Sequence, residues 1–215
     1  MAEDNSLLSA PIQAEPRWPA ILALLAMGGL YLVLPDELTA GPSWLLLVVV
    51  VILLIPAIVS HRMGNTRLAH VLGFVSSAVI TFALVWSLGT LIAGLPGKRQ
   101  TPAELLRSAA GLWLSNVLVF ACWYWRLDAG GPHARDLRPA HTEGAFLFPQ
   151  MMMKDDQAWK PGFVDYLFLA FNTSTAFSPT DVPVLSRWAK MLMMVQSAIS
   201  LGTLAIVAAR AINIL

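Results

Sequence analysis

Five hydroxyl side chains fall within eight residues of one another near the C-terminus: Thr173, Ser174, Thr175, Ser178 and Thr180. Asp181 follows directly. Hydroxyls and backbone carbonyls at that density can replace part of the water around a cation or small polar solute. The run cannot be helical throughout, because Pro179 and Pro183 lack an amide donor and restrict the residue before them. Asp181 reads either as a local ion-pair partner of Arg187 and Lys190, or as one member of a cation-attracting ring in an oligomer. Nothing in the chain adds hydrolytic chemistry to these groups. The single cysteine, Cys122, has no histidine nearby, and neither an H-E-x-x-H pair nor a Gly-rich phosphate loop is present. The sequence therefore predicts no enzyme, no metal site and no cofactor.

Such a turn needs elements to hold it. Residues 163–173 (FVDYLFLAFNT) form an apolar stretch far short of the about 20 residues that cross a bilayer. Residues 186–215 are long enough to cross. A half-helix over 163–173, a turn over 174–185 and a span over 186–215 make a re-entrant hairpin, an element that survives at membrane depth only when protein or a water-filled cavity surrounds it. Asp165 falls in the first turn of the half-helix, where the helix dipole favours a carboxylate. On the last helix, Gln196, Ser200, Thr203 and Arg210 recur at spacings that place them on one face, with Gly202 beside them. That face serves either to hydrogen-bond neighbouring helices or to line a hydrated path.

The rest of the chain agrees with a membrane setting. It is 57% hydrophobic and only 13% charged, against about 25% charged in ordinary soluble domains. Four apolar segments precede the hairpin, at 18–34, 44–60, 68–95 and 105–125, separated by turn-rich stretches such as PDELTAGPS and PGKRQTPAE. The expected fold is all-α: a polytopic membrane protein with five transmembrane helices plus the half-helix. Its organisation is a tail over 1–17, a three-span bundle over 18–104 and a hairpin-bearing unit over 105–215. The tail reads as frayed or lying on the surface. In the loop 126–162, His133 and His141 read as solvated, and Phe146, Phe148 and Met151 to Met153 as packing on the membrane surface or under the hairpin. Asn116, Ser76, Ser77 and Thr81 read as hydrogen-bonding glue between helices. With 14 basic and 13 acidic residues, there is no electrostatic case for nucleic acid; the expected partners are membrane lipid, a cation or small polar solute, and further copies of the chain. Ten basic residues fall on the side of the N-terminus and the long loop, against Lys98, Arg99, Arg107 and Arg210 on the other. That bias predicts a cytoplasmic N-terminus.

Two resemblances follow from these residues. WYWRLDAGGP (123–132), FLFPQM (146–151) and FVDYLFLAFNTSTAFSPTD (163–181) resemble a family of small bacterial inner-membrane proteins without an assigned activity, which implies an inner-membrane location. Residues 105–215 also resemble the pore module of tetrameric potassium channels: outer helix, turret-like loop, pore helix, filter and inner helix. The likeness places Asn172 and Thr173 at the end of a pore helix, Asp181 at the close of a filter and Gly202 at an inner-helix hinge. The filter departs from the potassium pattern, because Ser178, Pro179 and Thr180 stand where glycines would permit a carbonyl ladder. What the likeness implies is a channel-like protein with weak or no potassium selectivity; the alternative is a non-transporting scaffold or accessory subunit.

Overall fold

The computed structural model describes residues 15–94, 101–138, 140–153, 159–175 and 182–212. Among these the fold is all-α: α1 (Trp18–Leu32), α2 (Trp44–Arg62), α3 (Thr66–Gly94), α4 (Pro102–Leu127), α5 (Pro132–Asp136), α6 (Phe163–Thr175) and α7 (Arg187–Ile212). Four of them, α2, α3, α4 and α7, are long and apolar enough to cross a membrane. At 15 residues, α1 is shorter. Large apolar side chains crowd the outer faces: Ile52 is 61% exposed, Phe82 63% and Met194 64%. An outer surface that apolar is what a hydrocarbon surround accommodates and water does not.

Local chemistry sets the ends of α4. Thr101 and Glu104 form a reciprocal capping box, with Pro102 at the first helical position, so the helix begins ahead of its apolar run. At the other end Ala129, Gly130 and Gly131 all take positive φ and turn the chain away. A side chain at Gly131 would sit 2.8 Å from the Arg126 carbonyl oxygen, a distance only glycine tolerates.

Contacts between helices fix their directions. Gly28 lies against Leu47, the Thr90 hydroxyl reaches the Leu38 carbonyl, and Trp123 Nε1 donates to Thr81 Oγ1 at 2.9 Å. Successive helices α1 to α4 therefore alternate in direction. The C-terminal end of α4, the N-terminal ends of α1 and α3 and the loop that follows α4 share one level. Thr81 and Asn116 bridge helices as the sequence suggests, whereas Ser76 only returns a bond to the Leu72 carbonyl of its own helix.

α6 and α7 break the alternation. Tyr166 and Trp188, each in the first turns of its helix, both lie edge-on to the ring of Phe146. Further along, Gln196 meets Ala170 and Ser174, and Ser197 meets Thr173. The two helices thus start at the same level and run the same way, both antiparallel to α4. Consecutive parallel helices require the chain to come back between them. It has done so by Val182: Leu147 N–H donates to the Pro183 carbonyl (2.9 Å) and Leu185 N–H to the Ala145 carbonyl (2.8 Å).

Candidate functional site: a hairpin clamped at its base and its middle

The base of this hairpin is organised by Asp128, a fully buried carboxylate. Its Oδ1 accepts from Ala145 N–H at 2.5 Å and its Oδ2 from the Tyr166 hydroxyl at 2.6 Å. Tyr166 belongs to α6, and Ala145 holds Leu185 through its carbonyl. One side chain at the end of α4 therefore ties down both the outgoing helix and the returning leg. Gly144 makes room: a Cβ there would lie 2.9 Å from Asp128 Oδ1 and 2.8 Å from His141 Nε2.

Charges surround that carboxylate. Arg135 is 2% exposed and donates to the carbonyls of Trp125 (2.8 Å) and Asp128 (3.0 Å), and to Glu15 Oε2 at 3.1 Å. Glu15 also accepts from Trp125 Nε1 at 2.6 Å. Arg17 bridges Glu15 and Asp136, and the Glu15 N–H donates to Asp136. Burial pushes the Glu15 carboxyl upward, opposed by Arg135, the Trp125 N–H and Arg17. Glu15 was expected in a loose tail; instead it closes the network that precedes α1.

His141 also departs from expectation. The loop around it is polar, yet its ring is buried between Phe148 and Trp159, with Nε2 3.5 Å from Asp128 Oδ2. His133, by contrast, is exposed as expected. Burial holds His141 below its ordinary 6.5; Asp128 pulls the other way, and Arg135 and Arg138 reinforce the burial. The folded ring thus binds a proton less readily than the unfolded chain does. Stability from this site is complete above 6.5 and lost as pH falls below it. Thermal unfolding in neutral detergent should show a falling midpoint from pH 7 to lower pH, and His141→Gln should flatten that slope. An unchanged slope in the variant would remove His141 as the cause.

The middle of the hairpin is held by Gln196, which is fully buried. Its Nε2 donates to the Ala170 carbonyl (2.7 Å) and Ser174 Oγ (2.8 Å), while its Oε1 accepts from the Tyr124 hydroxyl at 2.5 Å. Asn116 donates to the Gln196 carbonyl and to Ser200 Oγ. Gln196, Ser200 and Thr203 are all inside, at 0%, 3% and 1% exposure, so the polar stripe of α7 faces protein. Thr203 bonds only within its helix, to the Ile199 carbonyl.

The hydroxyl run itself divides. Residues 174 and 175 were expected in the turn and 173 at the end of the half-helix, but α6 continues through Thr175. Thr173 and Thr175 return their hydroxyls to the carbonyls of Leu169 and Phe171, which gives each hydroxyl a partner inside the helix at a slight cost to it. Thr173 and Ser174 are buried and Thr175 is exposed. Ser178, Thr180 and Asp181 lie outside the described residues, as does the side chain of Arg210. Asp165 behaves as a first-turn carboxylate, accepting from Gly162 N–H at 2.7 Å. No group of three or more His, Cys, Asp or Glu among the described residues could hold a metal ion.

Fold and site together define an all-α chain whose four long apolar helices are consistent with a membrane protein, built around a parallel helix hairpin clamped by Asp128 and Gln196. Comparison with protein-family models, with curated proteins and with solved structures finds no match.

Proposed function

We propose that the chain is a channel-like or transport protein of the bacterial inner membrane, with α6 and its return leg as a re-entrant element passing a cation or small polar solute. The observation that carries this reading is that α6 and α7 start together and run the same way. At 13 residues, α6 is about 20 Å long, against about 30 Å of hydrocarbon. Because the chain is back beside residues 145–147 by Pro183 and Leu185, α6 does not cross, and its C-terminal end lies inside the membrane. That end carries the negative pole of the helix and favours a cation. In this reading α1, little longer than α6, still counts as a fifth span because the chain leaves it at the opposite level, where Thr90 reaches Leu38, and the ten-to-four bias of basic residues puts the hairpin's base in the cytoplasm.

One face of α6 stays open in the single chain: Val164 (66% exposed), Phe168 (57%) and Phe171 (45%) line up with Thr175. Lipid can cover Val164, Phe168 and Phe171 but not the unpaired carbonyls of a helix that ends at membrane depth, so in this reading further copies of the chain cover that end and bring the hairpins around a shared axis. Hydroxyls there meet a partly hydrated ion, and Ser178-Pro179-Thr180 offer no glycine ladder, so sodium and potassium should pass at comparable rates. Asp181 raises local cation concentration at the mouth, an effect that salt screens over about 8 Å at physiological strength. Flux of both ions into liposomes carrying the purified protein is the test. Strong preference for potassium would overturn the selectivity argument. A second reading, a non-transporting scaffold or accessory subunit, draws support from the closed bonding of Gln196 and Ser174; absence of any flux under a gradient would select it.

A further inference from the structure

A separate cavity of about 530 Å³ opens between α1, α2, α3 and the end of α4, away from the hairpin. Its two ends differ in chemistry. Toward the helix interiors the walls are Leu24, Leu54, Ala57 and Ile58; toward the level of the long loop they are Arg62, Arg67, Arg126 and the histidines 61, 70 and 133. Among the described residues no carboxylate lines it. Arg17, at its edge, is already paired with Glu15 and Asp136, but among the described residues Arg62, Arg67 and Arg126 form no ion pair.

Arg126 is the informative member. Its guanidinium is laid against the backbone of α3 at Gly73, where a Cβ would fall 1.8 Å from Nη1. It stacks beside the Trp125 ring at 5.4 Å, and its Nε is buried without a hydrogen-bond partner among the described residues. An enclosed guanidinium is normally matched by a carboxylate or phosphate, because desolvating it alone is unfavourable. Here the described residues supply the slot and the stacking surface but no anion. The adjoining apolar walls would have nothing to gain from a small hydrated ion.

We propose that this cavity binds an anionic phospholipid, with the phosphate headgroup on Arg126, Arg62 and Arg67 and an acyl chain against Leu24, Leu54 and Ile58. The inference needs the chain to sit in a membrane but does not need the hairpin to conduct anything. Headgroup and tail are read by different walls, so the site requires both. Basic residues at the headgroup level attract anionic lipid for the same reason, and the half-buried Arg126 guanidinium adds selectivity over a zwitterionic head, whose own cation meets three arginines.

Native mass spectrometry of the full chain in neutral detergent, titrated with phosphatidylglycerol, phosphatidylcholine, tail-less glycerol phosphate or inorganic phosphate, tests this. Phosphatidylglycerol should bind about tenfold or more tightly than phosphatidylcholine, as expected for one charge-assisted hydrogen-bonding set. Arg126→Gln should remove that preference, and Ala57→Trp should weaken binding of the lipid by filling its tail region. Should Arg126→Gln fail to fold, the exposed pair Arg62→Gln/Arg67→Gln decides, since among the described residues neither side chain makes a bond that supports the fold. Equal binding of the two lipids, or wild-type affinity in the pair variant, would overturn the proposal. Competition by inorganic or glycerol phosphate as effective as that of the intact lipid would overturn it too, and would assign the pocket to a soluble anion.

Discussion

Replacing Asp128 by alanine should lower the unfolding midpoint in detergent by about 10 °C, from a loss of about 3 to 5 kcal/mol in a chain of this size. The variant leaves two buried donors, Ala145 N–H and the Tyr166 hydroxyl, without their acceptor. Each orphaned donor retains its desolvation penalty, which is why the loss exceeds the net worth of the bonds. It also leaves the Arg135 guanidinium, already on the Asp128 carbonyl and 5.0 Å from the Tyr166 ring centre, beside one carboxylate fewer. Tyr166→Phe removes only one of these contacts and should lose roughly 1 to 3 kcal/mol. The order Asp128→Ala worse than Tyr166→Phe is the substance of the prediction. An Asp128→Ala midpoint within a degree or two of wild type would mean that the carboxylate does not clamp the hairpin. The same variant should raise hydrogen exchange at Leu185 and Leu147, whose amides pair the returning leg with residues 145–147.

Why the sequence shows the long apolar helices and hides this clamp is a matter of range. Apolar runs and the spacing of Gln196, Ser200 and Thr203 are local patterns, and the buried stripe on α7 follows from them. Asp128 meets partners 17 and 38 residues away, and Arg135 meets Glu15 across 120. No periodicity in one sequence encodes such pairs. What the sequence does carry is the consecutive Gly130 and Gly131 beside Asp128, and Gly144 beside its partner Ala145. Each marks a close approach that a side chain would block, but not what approaches. His141 is misplaced for a related reason: polar neighbours suggest solvent, whereas Phe148 and Trp159 fold over it. The continuation of α6 through Thr175 is missed because a cluster of hydroxyls resembles a turn, while Thr173 and Thr175 satisfy their hydroxyls on carbonyls four residues back and remain within the helix.

Gln196→Leu should separate the two halves of the hairpin at nearly constant volume. The leucine fills the site but leaves the Tyr124 and Ser174 hydroxyls buried with one partner fewer and removes, among the described residues, the one side chain of α7 that bonds both α4 and α6. Hydrogen bonds between helices in a bilayer are worth about 0.6 kcal/mol on average and rarely above 1.7. Three together, with two hydroxyls left short, place the expected loss at about 2 kcal/mol. Its functional consequence should be larger than its effect on stability, because α6 is registered against α7 mainly through this residue and Ser197. Asn116→Leu is the control. It breaks bonds between α4 and α7 but leaves those to α6 intact, so it should reduce stability to a similar degree. If the hairpin forms the path, cation flux should collapse in Gln196→Leu and persist in Asn116→Leu at matched protein density in liposomes. Equal flux in the two variants would place the path somewhere other than α6.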